Sequence, residues 1–162
     1  MRARPIVTLV VVLVSSSLAG AQSQGTPLTA TTAEAIIAGC RSHSTAKRQS
    51  HAIAVYDAGG DPVATLRMDG NRAGIMSFAM AKARAVARWG FSTAAMQNAA
   101  RDTPGFAAAP DVVTVPGGVP IYSADGRTLI GGVGVSGEAP ADDAACAEAG
   151  IRSAGLVFER AR

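Results

Sequence analysis

Thr128-Leu129-Ile130-Gly131-Gly132-Val133-Gly134-Val135-Ser136 is the stretch on which the fold turns. Its aliphatic and β-branched residues spell a strand, but three glycines interrupt it. Glycine inside a strand marks a place where another backbone approaches closely. The same glycines suggest a dinucleotide-binding loop. That reading fails, because the segment continues as strand and no helix N-terminus follows to receive a phosphate.

Working outward, Asp125-Gly126 is a hairpin turn signal that pairs this strand with Val119-Pro120-Ile121-Tyr122. Pro116-Gly117-Gly118 turns the chain there from a further strand predicted over Val112–Val115. Downstream, Pro140 precedes a last helix predicted from Ala141 to about Leu156. Upstream, a helix is expected from about Ile75 to Trp89, stopped by Gly90. Between it and the long strand, Ser92 or Thr93 is placed to cap a short helix over Ala94–Asn98. His51–Tyr56 and Pro62–Met68 read as two strands joined by Asp57-Ala58-Gly59-Gly60-Asp61. Before them a helix opens at Leu28-Thr29, with Thr29 or Thr31 as N-cap, and fades near Lys47-Arg48-Gln49. The order αββα-βββα predicts an α+β domain, with helices packed on a mainly antiparallel sheet of about five strands.

The beginning of the chain reads differently. Arg2 and Arg4, the apolar run Ile6–Val14 and the small residues Ala19-Gly20-Ala21 follow the order of a secretory signal over residues 1–21. That apolar run is well short of the ~20 residues needed to cross a bilayer. The expectation is a cleaved leader, a flexible tether over 22–27, one domain over 28–158 and a tail over 159–162. The product would be periplasmic or extracellular, without stable membrane insertion. Loss of Arg2 and Arg4 changes the balance of 15 basic against 12 acidic residues to 13 against 12. No basic run is interleaved with aromatics, so nucleic acid is not an expected partner.

No Gly-x-Ser-x-Gly elbow, His-Glu-x-x-His pair or Walker loop occurs, so the sequence offers no recognisable catalytic set. Lys82 is the most informative single residue. It falls in the apolar stripe Ile75, Phe78, Ala79, Val86 and Trp89, opposite Ser77, Arg84 and Arg88. A lysine there must snorkel, meet an internal acid such as Asp57 or Asp69, or face a ligand anion at a pocket wall. His43 and His51 are potential metal ligands but lack paired metal spacing. Met76 and Met80 share a helix side and read as packing. Cys40 and Cys146 form an even pair in an exported chain. Cys146 is placed in an arc with Ala145, Ala149, Ser153 and Val157, so a disulfide between the first and last helices is a candidate.

Several segments are familiar together. They are Val55-Tyr56-Asp57-Ala58-Gly59-Gly60, Leu66-Arg67-Met68-Asp69-Gly70, Ala81-Lys82-Ala83-Arg84-Ala85, Gly117-Gly118-Val119-Pro120-Ile121, Ile130–Gly137 and Asp143–Gly150. In this order and spacing the chain resembles the GlcG/HbpS haem-binding family, also called the haem-degrading domain family, over nearly all of Leu28–Leu156. The resemblance implies a small α+β sandwich, homo-oligomers that are often octamers, and haem as the cofactor. It also implies a link between exported members and redox sensing. A related domain ends some corrinoid adenosyltransferases. By resemblance, Thr93 is a candidate axial oxygen ligand to haem iron. Lys82 and Trp89 would then supply a cation for a propionate and a flat apolar face. Arg67 and Asp69, inside a matching segment, join them as cofactor-binding candidates. Two positions depart from the family pattern: Ser92 stands where proline is frequent, and Asp61 where histidine or asparagine is frequent. The expected function is haem binding by an exported protein. The alternatives are an enzyme or accessory domain for a corrinoid, flavin or organic acid, and a purely structural oligomer.

Overall fold

The computed structural model describes residues 27–162; the proposed leader and all but the last residue of the tether lie outside the described residues. Its elements in chain order are α1 (Ala30–Ala46), β1 (Ala52–Asp57), β2 (Pro62–Arg67), α2 (Ala73–Trp89), α3 (Thr93–Asp102), β3 (Gly118–Tyr122), β4 (Leu129–Ser136) and α4 (Pro140–Ser153). A single 3-10 turn, Phe106–Ala108, follows α3. The fold is α+β. The sheet has four strands in the order β2-β1-β4-β3, and every pairing is antiparallel.

The fifth expected strand is absent. Val112–Thr114 is irregular, and β3 begins only at Gly118. Val112 and Val113 instead pack their side chains against Ala85, Val86 and Met96. Their hydrophobicity fills a corner under α2 and α3 rather than extending the sheet. The remaining boundaries follow local chemistry. Thr29 caps α1 by accepting from Thr32 N at 3.1 Å. Gly90, at φ 74°, ends α2. Asp57 Oδ1 accepts from Gly59 N and Asp61 N at 2.9 and 3.0 Å, closing the β1–β2 hairpin. Pro120 is tolerated because β3 is an edge strand.

The glycines of β4 answer the question they raised. Gly134 and Gly132 pair with Ala54 and Tyr56 and share their face of the sheet. A Cβ at Gly132 would lie 2.7 Å from Ala83 O and 2.8 Å from Ala87 N. One at Gly134 would overlap Ala79 O. The close backbone is therefore that of α2. The opposite face carries Ile53, Val55, Val133 and Val135 against Ile36 of α1 and Ile151 of α4. Three layers result, α2 on one side, the sheet, and α1 with α4 on the other. No helix among the described residues is long and apolar enough to cross a membrane.

Candidate functional site

At one end of the sheet, β1 starts, β4 finishes and β3 starts. Side chains from three helices converge there. Lys82 comes from α2 and Asp143 from the first turn of α4. Ser44 comes from the end of α1, and His51 stands just before β1. All four are buried. Lys82 Nζ donates to Asp143 Oδ2 at 3.0 Å and to Val135 O at 2.9 Å. The Phe78 ring lies over the ammonium, 4.7 Å from Nζ to centroid. Lys82 thus has an internal acid, but neither Asp57 nor Asp69 provides it. The ammonium passes beside Gly117, at φ 121°, where a Cβ would sit 2.6 Å from Nζ.

Asp143 uses its second oxygen to accept from Glu138 N at 3.1 Å. That same Oδ1 lies 3.5 Å from His51 Nε2, an electrostatic contact longer than a good hydrogen bond. His51 Nδ1 is 2.7 Å from Ser44 Oγ. Burial acts on every titratable member of the cluster. It lowers Lys82 and raises Asp143, against the hydrogen bond and attraction between them. Burial also lowers His51, opposed chiefly by the charge of Asp143. Burial thus disfavours the charged form of each group, the usual result of desolvation.

Cys40 and Cys146 are joined in a disulfide between α1 and α4. Both are fully buried. The buried stripe of α4 is Asp143, Cys146, Ala147, Gly150 and Ile151, rather than the arc through Ala145, Ala149 and Ser153. The difference arises because α1 crosses α4 closely at Gly150, where a Cβ would lie 2.5 Å from Ile36 O.

The remaining candidates scatter. Ser92 caps α3, accepting from Ala95 N at 3.2 Å, while Thr93 is its first residue. Thr93 Oγ1 is buried and accepts from Gly118 N at 2.9 Å. Gly117 and Gly118 therefore touch both Lys82 and Thr93. Trp89 points elsewhere. It is 39% exposed, donates from Nε1 to Pro110 O at 3.1 Å, and packs edge-on against Phe91 and Phe106. Arg67 donates to Asn71 O, and the Asp69 carbonyl accepts from Ser50 Oγ at 2.7 Å; both fix the β2–α2 turn. His43 Nε2 is buried and has no hydrogen-bond partner among the described residues. No group of three His, Cys, Asp or Glu side chains suited to a metal ion occurs among them either. Met76 and Met80 pack against Ala52, Ala54 and Tyr56, as their spacing predicts.

Beside this end, α3, β3 and the C-terminal segment enclose a cleft of about 440 Å³. Phe91, Val119, Pro120, Tyr122 and Phe158 line it, with Arg160 also on its wall. Past the shared Ala94, Ala144 and Glu148 it meets a second hollow of about 660 Å³ between α3 and α4. Thr93 helps to shape the cleft from beneath by holding Gly118 in its wall. Asp143 and Ser44 were missed from sequence. A signal for Asp143 existed: at helical spacing it shares a face with Cys146, Ala147 and Gly150. An acid on that stripe is the counterpart of the lysine on the stripe of α2.

The family model for the HbpS-like haem-degrading protein matches residues 28–152. No curated protein sequence matches. Among solved structures, a PduOC–haem complex superposes with a TM-score of 0.76 at 21% identity, covering 83% of this chain and 100% of that one. HbpS does so with 0.75 at 23% identity, covering 85% and 97%. The Klebsiella pneumoniae protein ORFY gives 0.74 at 22%, covering 82% and 94%. At these identities the likeness carries the fold.

Proposed function

The chain belongs to the HbpS-like haem-degrading protein family, and on that premise we propose that it is an exported haem-binding protein that holds haem in the cleft between α3, β3 and the C-terminal segment. The cleft carries the proposal. Its volume of about 440 Å³ is within the ~300–1,000 Å³ usual for small-molecule sites. Phe91, Val119, Pro120 and Phe158 give it the apolar walls a porphyrin requires. Arg160 supplies a cation for a propionate.

The iron-donor groups on the wall are oxygens, those of Tyr122, Glu148 and Glu159. A phenolate is an established type of haem ligand, so the donor set fits the group. Tyr122 donates its hydroxyl proton to Gly90 O at 2.8 Å, and ligation as a phenolate would require that proton and that bond to be given up. Thr93 Oγ1 is already engaged with Gly118 N. Its part is to position the wall, and direct ligation would require that bond to be given up. Bound haem would supply a redox-active iron centre. This chain's residues bind it, orient it and exclude water from its apolar face. The PduOC structure with haem supports the reading by analogy of fold.

The leader-like order of residues 1–21 supports export. The Cys40–Cys146 disulfide is in keeping with an oxidising compartment. Service in haem or iron redox sensing and assembly as a homo-oligomer of eight chains, which the family resemblance implies, belong to the same proposal. The test is a haemin titration of protein recovered from the exported fraction, whose first residue should be Gln22. The expected result is a saturable Soret shift, weakened in Tyr122→Phe and less so in Thr93→Ala. Absence of a saturable shift in the wild type overturns haem binding. A shift that both variants retain in full moves the site elsewhere.

A further inference from the structure

The buried polar chain ends against the disulfide. Ser44 Oγ lies 3.1 Å from Cys146 Sγ and 2.9 Å from Cys40 O. His51, Asp143 and Lys82 follow behind it, at 2.7, 3.5 and 3.0 Å per step. Haem binding uses none of these groups. A disulfide that only staples two helices gains nothing from a hydroxyl at one sulfur with an imidazole behind it. Aliphatic neighbours would serve it better, because buried polar groups carry a desolvation cost. The arrangement is also one-sided, since Ser44 Oγ contacts the sulfur of Cys146 but only the carbonyl of Cys40.

We propose that Cys40–Cys146 is a proton-coupled redox site, in which His51, acting through Ser44, takes up a proton and stabilises the Cys146 thiolate when a dithiol reduces the disulfide. One thiolate of the dithiol attacks Cys40 Sγ. The S–S bond breaks, and its electron pair leaves on Cys146 Sγ beside Ser44. The second thiol of the reductant then displaces Cys40 Sγ and closes the reductant's own disulfide. Two electrons pass to the protein. Of the two protons released by the dithiol, one goes to Cys40 and the other to His51.

The hydrogen bonds permit this. In the oxidised protein Ser44 Oγ donates its one proton to Cys40 O, so the 2.7 Å contact is donated by His51 Nδ1 to Ser44 Oγ, and Nε2, 3.5 Å from Asp143 Oδ1 and without a hydrogen bond, is the nitrogen free to take up a proton. After reduction the imidazolium carries a proton on both nitrogens, Nε2 facing the Asp143 carboxylate as an ion pair. Ser44 Oγ still accepts from Nδ1 and turns its own proton from Cys40 O to the thiolate. The charged and titratable groups facing His51 are Asp143 and Asp142 on α4, Glu138 after β4, and His43 on α1. Lys82 reaches it through Asp143, and Lys47 through Asp142. Both sulfurs are buried, so exchange proceeds through opening of the α1–α4 contact. The readout is therefore the equilibrium state of the reduced protein.

The full-length chain, free of haem, is equilibrated with dithiothreitol. Its thiolate ultraviolet absorbance and the NMR shifts of the His51 ring are then followed against pH, with the oxidised protein as reference. The expected result is a thiolate persisting at least about one unit below the ordinary cysteine value of ~8.5. The His51 ring should titrate at higher pH in the reduced form than in the oxidised form. In reduced His51→Gln the thiolate titration should move up by about one unit, back to the ordinary cysteine value. Thiols that titrate as ordinary cysteines, with a His51 ring indifferent to oxidation state, overturn the proposal. If His51→Gln does not fold, the two wild-type titrations decide alone. The experiment contains no haem, so its failure leaves the haem reading standing, and the reverse holds.

Discussion

On one face of the sheet, α2 lies against Gly132, Gly134, Ala52 and Ala54. On the other, α1 and α4 lie against Ile53, Val55, Val133 and Val135. The first contact is backbone against backbone, with no volume left for a single added carbon. The second is an interdigitated aliphatic core with a covalent tie between its two helices. The contrast teaches where the molecule is rigid and where it can adjust. Side chains in an aliphatic core can move to other rotamers, whereas a helix backbone seated on glycine cannot retreat without lifting the whole helix. Lys82 and Asp143 join the two layers around the end of the sheet, one from each side.

The largest effect should come from adding one carbon to the tight face. Gly134→Ala places Cβ into Ala79 O, and a loss of about 4 kcal/mol or failure to fold is expected, at the top of the overpacking range. Removing one carbon from the opposite face, Ile53→Val, should cost only about 1 kcal/mol. Urea unfolding of the two variants beside the wild type measures both. Equal losses would erase the distinction between the faces.

Next in size is the clasp between the layers. Lys82→Met leaves the Asp143 carboxylate buried without its cation, and about 3 kcal/mol should be lost. Adding Asp143→Leu removes the orphaned charge, and the double variant should recover part of that loss. The double-mutant cycle reads this directly. If the double variant is less stable than Lys82→Met alone, the carboxylate is held chiefly by Glu138 N and His51 rather than by the lysine.

The two faces were not equally readable in the sequence. The glycines of β4 announced a close backbone, and Gly90, Asp57-to-Asp61 and Asp125-Gly126 marked turns by chemistry that acts within a few residues. Val112-Val113-Thr114 was misread because short β-branched runs look alike whether they pair or fill a corner; what decides here is the packing against Met96 and Val86. The polar cluster depended on contacts across long separations. Lys82 stood out, because a cation on an apolar stripe is conspicuous. Asp143 did not, because an acid in the first turn of a helix is ordinary and favoured by the helix dipole. Ser44 was hidden for a similar reason, since a helix end is a common place for serine. The cleft, built from α3, β3 and the C-terminal segment, has no local signature in the sequence. The family resemblance pointed to Thr93, close to the cleft but beneath its wall.

The smallest expected effect tests whether the cluster belongs to the tight or the adjustable part of the molecule. Burial lowers the folded-state pKa of His51 from its ordinary 6.5. Between that folded value and 6.5 the unfolded chain binds more protons than the native one, so stability rises with pH across this window. The contribution is complete above the ordinary value and is lost as pH falls through the folded one. Asp143 is raised above 3.8, and its linkage runs the other way, favouring the folded state as pH falls through the carboxylate range. The wild type should therefore lose stability on acidification from neutrality, with the Asp143 contribution opposing the decline at lower pH. In His51→Gln the slope just below 6.5 should vanish, while the carboxylate limb remains. Thermal or urea unfolding of the oxidised proteins from pH 8 to pH 4 gives both curves. An unchanged slope in the variant would mean that the site relaxes enough to solvate the imidazolium. The sheet end would then be adjustable, like the aliphatic face, rather than fixed, like the seat of α2 on glycine.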